Sequence, residues 1–445
     1  MKHCYLSVLS LMLLLAAACK KETSPADAPQ PGAKEALAEE PVTPIGQAIP
    51  LPPGGRHANA RAANIPVIMV HGFGGISPGD MMDQYRYWGG WDNIPKFLTE
   101  SGYPAFAAKV GPLSSNWDRA VELYYYIKGG EVDYGKFHSS KAGHTQLKGR
   151  YYPGIYPEWD ADHPVHLLGH SMGGLTVRKL VTLLEQGDAQ ERQDPGHAAI
   201  FNGDKTGWVK SVTTISTPHN GATLAYILED GYIPFVRRLI TSAAALAGII
   251  PGVDKIYDFS LEQWGLEQEP GESWLAYAQR VEQSGIWQTD DYSGHDVTPE
   301  AALERRAAEP DSKNVYYFSI STKASLRGLI TGWEYPRLDM FPLVIPIAYP
   351  VPLLMGLGNY TRNSGNVVID AKWWPNDGAA NVYGMSGPEG SILKEYDATQ
   401  PLEKGVWNHI GIYSGYDHFD VIGIGYWQSV RPFYTNIAQL LATVE

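Results

Sequence analysis

The chain has 445 residues, of which 44% are hydrophobic and 19% are charged, a composition typical of a globular protein with a sizeable core. Its formal net charge of −13 repels nucleic acid and anionic lipid surfaces, and its dispersed basic residues form no stripe that would follow a phosphate backbone. Both cysteines, Cys4 and Cys19, lie in the first 20 residues, which excludes a disulfide framework or a cysteine-ligated metal in the rest of the chain.

The N-terminal segment, residues 1–18, is predicted to be a secretory signal peptide. Lys2 precedes an apolar run over residues 5–15, which is too short to span a bilayer comfortably as a helix. Three alanines at 16–18 lead into Cys19 and resemble a bacterial lipobox, which implies cleavage before Cys19 and acylation of that residue. We therefore expect an exported cell-envelope lipoprotein that is membrane-anchored through Cys19. The alternative is a plain signal peptide followed by an incidental cysteine.

Residues 19–64 are rich in proline, alanine, glutamate and lysine. Such a composition cannot bury a core, so the sequence predicts a disordered tether there. From residue 65 to residue 445 the chain is predicted to form one domain, and we find no internal repeat in it. The tether would hold this domain at some distance from the anchor.

Buried strands and amphipathic helices alternate at the start of this domain. The predicted strands are 65–70, 105–110, 165–168 and 209–215. The predicted helices are 91–101, 117–128 and 172–186. This alternation indicates an α/β fold whose central sheet is mostly parallel and carries helices on both faces.

Residues 222–260 interrupt the alternation with two strongly apolar, helix-like stretches, 222–228 and 233–246. They are interpretable simply as buried helices. The functional interpretation is an inserted lid whose apolar inner face covers a lipid-binding cleft.

Gly169-His170-Ser171-Met172-Gly173 fits the Gly-x-Ser-x-Gly pattern of a nucleophile elbow. A strand-to-helix turn this tight strains the serine backbone and leaves no room for side chains two residues to either side. Residues 75–79, around Ser77, match the same pattern. Ser171 is the better candidate because it directly follows a strand and directly precedes a helix, whereas Ser77 is followed by proline and no helix begins there.

Two further features of an acyl-transfer site surround this serine. The glycine-rich residues 71–75 directly follow the first strand, and a turn there directs a backbone N–H at a substrate oxyanion. The second donor would be the N–H of Met172, the residue after the nucleophile.

The chain order of this fold places the acid after the serine and the histidine last. His418 lies in a polar loop near the C-terminus, and His409 is its rival; His219 precedes most candidate acids. Asp377 is a loop carboxylate ahead of both late histidines. It would orient the imidazole and stabilise its cation while Ser171 attacks an ester carbonyl.

Taken together, these segments resemble the thermostable lipases of bacilli and staphylococci, which form bacterial lipase family I.5. The stretches that carry the resemblance are 87–90, 110–120, 132–135, 211–219, 263–266, 270–273, 376–378 and 405–408. The resemblance implies an α/β-hydrolase fold with an inserted lid and a small zinc-bound extra segment. It also implies a triad of Ser171, Asp377 and His418, with oxyanion donors at Phe73 and Met172.

The family resemblance further implies a structural zinc ion held by Asp118, His138, His144 and Asp291. Without the resemblance, two histidines six positions apart would be interpreted as surface residues. Two imidazoles and two carboxylates do form a suitable closed tetrahedral set for Zn²⁺. A closed site of this kind would pin the extra segment to the core and would not activate water.

A calcium site is also implied, although this sequence departs from the family pattern. Asp420, two residues after His418, stands where relatives carry Glu, and Gly425 stands where they carry a second carboxylate. Tyr426 replaces a proline whose carbonyl binds the ion, and Asp339 replaces a glycine. Hard cations need several oxygen ligands, so calcium binding depends on whether Asp339 supplies the missing side chain.

These features predict a lidded triacylglycerol lipase that acts on a lipid or ester substrate. A carboxylesterase or polyester hydrolase with the same triad on a more open cleft is the near alternative. A non-enzymatic lipid-binding envelope lipoprotein is a distant alternative, because such a protein has no need of an intact triad. A zinc peptidase is excluded by the lack of a His-Glu-x-x-His motif.

Overall fold

The computed structural model describes residues 37, 41–52, 64–227, 257–338, 340, 350–362, 365–424 and 428–444. Within these residues the centre of the fold is a seven-stranded sheet in which every neighbouring pair is parallel. Its strands are β1 (Val67–Val70), β2 (Ala105–Ala107), β3 (Val165–His170), β4 (Val209–Ile215), β5 (Tyr316–Lys323), β6 (Ile392–Glu395) and β7 (Val406–Ser414). Their order across the sheet is β6-β7-β5-β4-β3-β1-β2. The predicted α/β class with a parallel central sheet is therefore confirmed.

Helices cover both faces of this sheet. They are α1 (Ile94–Glu100), α2 (Asn116–Lys128), α3 (Lys136–Ala142), α4 (Met172–Gln186), α5 (Leu224–Ile227), α6 (Trp274–Glu282), α7 (Ser293–Asp296), α8 (Pro299–Ala308), α9 (Pro350–Met355) and α10 (Arg431–Leu441). Alternate residues of β1 point to opposite faces: Ile68 and Val70 join the core under α2 and α4, whereas Val67 and Met69 join the core under α1 and α10. The prediction of helices on both faces is confirmed as well.

Short antiparallel ribbons and 3-10 helices lie outside the central sheet. Three two-stranded antiparallel ribbons pair Gly130–Asp133 with Leu147–Tyr152, Ser325–Arg327 with Glu334–Pro336, and Tyr360–Arg362 with Val367–Ile369. Short 3-10 helices lie at Asp80–Asp83, Glu191–Gln193, Ala199–Asn202, Glu262–Trp264, Gly285–Gln288, Ala371–Trp373 and Asp420–Ile422.

Part of the predicted tether belongs to the folded body. Ile45 and Ile49 are 5% and 6% exposed and join the core beside α10. The Thr43 N–H donates to the Ser414 carbonyl at the end of β7 (3.0 Å). Residues 41–52 thus correct the prediction of disorder, because two isoleucines spaced along a proline-rich segment are enough to dock it. The signal segment and Cys19 lie outside the described residues.

The predicted lid lies mostly outside the described residues, which resume at Tyr257. Helix α5 occupies part of the first predicted helical stretch, and nothing is described for residues 228–256. In the described part of the chain, no helix is long and apolar enough to cross a membrane.

Candidate active site

The turn between β3 and α4 has the strained geometry that the glycine pattern predicts. Ser171 adopts φ 57° and ψ −132°, a region that residues other than glycine rarely occupy. A Cβ atom at Gly169 would lie 2.4 Å from the backbone carbon of Gly173, and one at Gly173 would lie 2.1 Å from the Val70 carbonyl oxygen. Only glycine therefore fits at both positions of this turn.

The structure brings Ser171, His418 and Asp377 together from three separate parts of the chain. His418 Nε2 lies 2.8 Å from Ser171 Oγ, and His418 Nδ1 lies 2.7 Å from Asp377 Oδ2. These atoms form one continuous line of hydrogen bonds, in which one ring nitrogen of His418 faces the Ser171 hydroxyl and the other faces the Asp377 carboxylate. Such a line can move the serine proton to His418 and stabilise the resulting cation.

The Asp377 carboxylate has no solvent exposure. Besides His418, three hydrogen-bond donors orient it. The Thr322 hydroxyl at the end of β5 donates to Oδ2 (2.7 Å), the oxygen that faces His418. The backbone N–H groups of Ala379 and Ala380 donate to Oδ1 (3.1 and 2.8 Å). Thr322 was not identified from the sequence, since its contact with Asp377 joins residues 55 positions apart.

A second histidine, His170, packs against His418 with 4.7 Å between ring centroids and an angle of 50° between the ring planes. Burial lowers the pKa of His170 well below its usual value, and the nearby His418 lowers it further. The His418 backbone carbonyl opposes this shift only weakly, and His170 Nε2 makes no hydrogen bond of ordinary geometry with the described residues. His170 is therefore a neutral ring that packs against His418 without competing for its proton.

The glycine-rich turn, residues 71–75, lies directly against the nucleophile. A Cβ atom at Gly72 would approach the Ser171 Cβ to 2.7 Å, so only glycine allows this contact. Phe73 follows in the same turn. Met172 is the first residue of α4, and its N–H has no acceptor within the helix. The two N–H groups predicted to bind an oxyanion thus belong to segments on either side of Ser171.

The rival residues lie in settings that do not suit catalysis. Ser77 is 5% exposed and bonds to His71 Nε2 (3.1 Å), a histidine whose pKa burial lowers to about 3. His409 lies between Ser321 Oγ (3.1 Å) and Glu395 (3.1 Å). The order of atoms around His409 imitates a triad, but Ser321 is 1% exposed within β5, so no substrate can reach it.

Away from Ser171, Asp118, His138, His144 and Asp291 form a compact cluster. His138 Nε2 lies 3.1 Å from Asp118 Oδ1 and 3.4 Å from Asp291 Oδ1, and His144 Nε2 lies 3.6 and 3.2 Å from the same two carboxylates. Zinc bonds of roughly 2.0–2.1 Å at tetrahedral angles place neighbouring ligand atoms about 3.3 Å apart. The four donors therefore have the spacing and the chemistry of a closed zinc site.

Unsatisfied polar atoms support the same interpretation. His144 Nε2 and Asp291 Oδ2 are buried and face each other at 3.2 Å, and neither makes a hydrogen bond of ordinary geometry with the described residues. The Nδ1 atom of His144 bonds to the Thr145 carbonyl (2.8 Å), which leaves Nε2 facing the cluster as a ligand. Burial lowers the pKa of His138, but hydrogen bonds to Asp118 and Asp291 overcome this and raise it to about 9. The cluster thus attracts positive charge strongly.

The expected calcium ligands are only partly described. Asp420 Oδ2 accepts a hydrogen bond from the Asp417 N–H (2.8 Å) in the loop that carries His418. Asp339, Gly425 and Tyr426 lie outside the described residues. Calcium binding at Asp420 and Asp339 therefore stays a prediction.

Comparisons with known proteins agree with this geometry. Residues 63–445 match the family described as "Lipase-like, C-terminal domain". Over 374 residues the chain is 37% identical to a protein named Lipase from Staphylococcus epidermidis, an alignment that covers 81% of this chain and 50% of that relative. The chain spans about half the length of the curated relatives it matches.

Two solved structures are similar over most of their length. EstA from Clostridium botulinum has a TM-score of 0.78 and 37% identity, covering 85% of this chain and 87% of that one. Lipase 1 from Pelosinus fermentans has a TM-score of 0.76 and 38% identity, covering 86% of this chain and 100% of that one. The chain therefore belongs to the family of lipase-like C-terminal domains, and its resemblance to the bacterial lipases of family I.5 is confirmed.

Proposed function

We propose that this protein is a carboxylic ester hydrolase of the triacylglycerol lipase type, with Ser171 as nucleophile, His418 as general base and Asp377 as the acid that orients it. The observation that carries the proposal is the continuous hydrogen-bonded line Ser171–His418–Asp377 at a strained strand-to-helix turn. Its relatives are named lipases, which supports a lipid ester as substrate.

The proposed reaction proceeds in two halves. Ser171 Oγ attacks the ester carbonyl carbon while His418 Nε2 accepts the serine proton, and the carbonyl oxygen becomes an oxyanion that accepts hydrogen bonds from the N–H groups of Phe73 and Met172. When this intermediate collapses, the bond to the alkoxide breaks and His418 returns its proton to the leaving alcohol. A water molecule, deprotonated by His418, then attacks the carbonyl carbon of the acyl-serine. The bond between that carbon and Ser171 Oγ breaks, His418 returns its proton to Oγ, and the carboxylic acid is released.

The test compares wild type with Ser171→Ala on p-nitrophenyl esters from acetate to palmitate. We expect the variant to lose nearly all activity on every ester, and wild type to prefer the long chains. A preference for short chains would favour the carboxylesterase or polyester hydrolase instead. Equal, measurable activity of variant and wild type would refute the nucleophile assignment, whereas no activity in either protein would favour the non-enzymatic, lipid-binding alternative.

We further propose that Asp118, His138, His144 and Asp291 hold a structural zinc ion. When bound, the ion would supply a cross-link and no Lewis-acid chemistry, since four protein ligands leave no open position for water. The ligands come from α2, from α3 and the loop after it, and from the segment before α7. The site would therefore cross-link three segments that are far apart in the sequence.

Export and membrane anchoring through Cys19 are also proposals, supported by the signal-like residues 1–18 and the alanines before the cysteine. Residues 41–52 are docked on the body, so the residues between Cys19 and this segment would connect the anchor to the body. Metabolic labelling with a radioactive fatty acid tests this. Wild type should carry label and partition with membranes, and label retained in Cys19→Ser would contradict the anchor.

A further inference from the structure

The glycine-rich turn, residues 71–75, is held by hydrogen bonds on both sides of Phe73. The Gly72 carbonyl accepts from His71 Nδ1 (2.8 Å), and the Gly74 N–H donates to the Pro112 carbonyl (2.9 Å). Because the N–H and C=O of one trans peptide point in opposite directions, a fixed Gly72 carbonyl fixes the direction of the Phe73 N–H. The preceding peptide, between His71 and Gly72, is held at both ends by side chains from elsewhere in the chain.

The first of these side chains is Arg119 on α2, which has no solvent exposure. Its guanidinium donates to the carbonyls of His71 and Gly111 and to the Thr176 hydroxyl. In the described part of the chain no carboxylate lies within ion-pair distance of it, although burying an unpaired charge is costly. Burial lowers the pKa of Arg119 to about 10, which still leaves a cation behind the turn at neutral pH.

The second side chain is Tyr87, which is 6% exposed. Its hydroxyl accepts from the Gly72 N–H (2.9 Å) and contacts His170 Nδ1 (2.6 Å). In the tautomer of neutral His170 that carries its hydrogen on Nε2, Nδ1 accepts a hydrogen bond from the Tyr87 hydroxyl, which then both accepts and donates. Tyr87 therefore joins the turn to the histidine that packs against His418.

We propose that Arg119 and Tyr87 are positioning residues that clamp the His71–Gly72 peptide and so aim the Phe73 N–H at the reacting carbonyl oxygen. This inference rests on the proposed function, since it takes Phe73 as an oxyanion donor. Neither side chain touches the substrate. The clamp acts by holding a donor in place before charge develops, and such preorganisation contributes to the rate only in the transition state.

The test compares Tyr87→Phe with Tyr317→Phe. Tyr317 is 2% exposed, and its hydroxyl also accepts a backbone N–H, from Ser312 (2.9 Å), in a contact that the proposed reaction does not use. We expect Tyr87→Phe to lower kcat on p-nitrophenyl butyrate about tenfold with little change in KM. Its affinity for butylboronic acid, which mimics the tetrahedral intermediate, should fall by the same factor. Tyr317→Phe should change neither quantity.

Arg119→Lys is the second variant, because lysine keeps the charge and loses the fork that reaches three acceptors at once. It should lower kcat and the affinity for butylboronic acid by similar factors. If Arg119→Lys does not fold, Tyr87→Phe alone tests the inference. The inference is overturned if Tyr87→Phe matches Tyr317→Phe while wild type hydrolyses the ester and Ser171→Ala does not. Full activity in Ser171→Ala would instead refute the proposed function itself.

Discussion

The site around Ser171 and the cluster around His138 are both built from histidines and buried aspartates, but they differ in how many of their polar atoms have hydrogen-bond partners. At the first site each oxygen of the Asp377 carboxylate and both ring nitrogens of His418 have partners within the protein. In the cluster, His144 Nε2 and Asp291 Oδ2 face each other at 3.2 Å, but neither makes a hydrogen bond of ordinary geometry with the described residues. Leaving a buried polar group without a hydrogen-bond partner costs folding free energy. The first site therefore needs no additional group, whereas a bound cation would stabilise the second.

The same residue types, histidine and aspartate, therefore have different expected roles at the two sites. Under the proposed function, the line of hydrogen bonds at Ser171 passes a proton from the serine to His418. The cluster at His138 closes on itself and can only bind. We therefore expect changes at the first site to act on turnover and changes at the second to act on stability.

The largest expected effect is that of Asp377→Asn. The amide cannot accept the His418 Nδ1 proton in the same way, so the imidazole is held in the wrong tautomer, and we expect kcat to fall by about 10⁴. The melting temperature should change little. Steady-state hydrolysis of p-nitrophenyl butyrate and a thermal melt measure the two quantities, and a fall in kcat of less than tenfold would contradict the role given to Asp377.

His138→Ala should act on stability instead. The change leaves Asp118 and Asp291 as close buried carboxylates with one partner fewer, which costs about 3–5 kcal/mol, and zinc content measured by atomic emission should fall. Turnover at low temperature should change far less than the melting temperature.

The matched control for this change is His163→Ala, since His163 pairs with Asp160 in an exposed position and should melt like wild type. If His138→Ala keeps both the metal content and the melting temperature of wild type, the structural zinc site is refuted.

A smaller effect is expected for Thr322→Val. The hydroxyl is one of the donors to the Asp377 carboxylate, and losing one neutral donor should lower kcat about tenfold, or about 1.4 kcal/mol in barrier height. Thr213→Val on β4 is the control, because that buried hydroxyl has no partner among the described residues. Equal kcat values for the two variants would show that Thr322 does not orient Asp377.

The smallest effect is expected for His409→Gln, which alters the imitation triad of Ser321, His409 and Glu395. Because Ser321 is buried in β5, ester hydrolysis should stay within twofold or so of wild type. A loss comparable with that of Asp377→Asn would mean that the wrong late histidine has been assigned.

The sequence predicted the parts of the site that local patterns encode. Ser171 was identifiable because the tight turn that holds it requires glycine two residues before and two residues after the serine. The order of triad residues along the chain then limited the candidate acid and base to loop residues near the C-terminus. The four cluster residues were predicted from the family resemblance, because their spacing in the sequence does not by itself indicate a metal site.

What the sequence did not reveal depends on contacts between distant segments. Tyr87 meets His170 across 83 positions, and Arg119 meets His71 across 48; neither contact leaves a periodic pattern. Strand β6 is exposed along its whole length and so lacks the apolar alternation that marks a strand. The docking of residues 41–52 was hidden by their proline-rich composition.

The most direct test of the central claim is to treat the protein with a fluorophosphonate that mimics an ester, digest it and locate the adduct by mass spectrometry. Wild type should carry one adduct, on the peptide that contains Ser171, and His418→Ala should react far more slowly. An adduct on the peptide that contains Ser77, or equal labelling of wild type and Ser171→Ala, would contradict the assignment of Ser171 as the nucleophile.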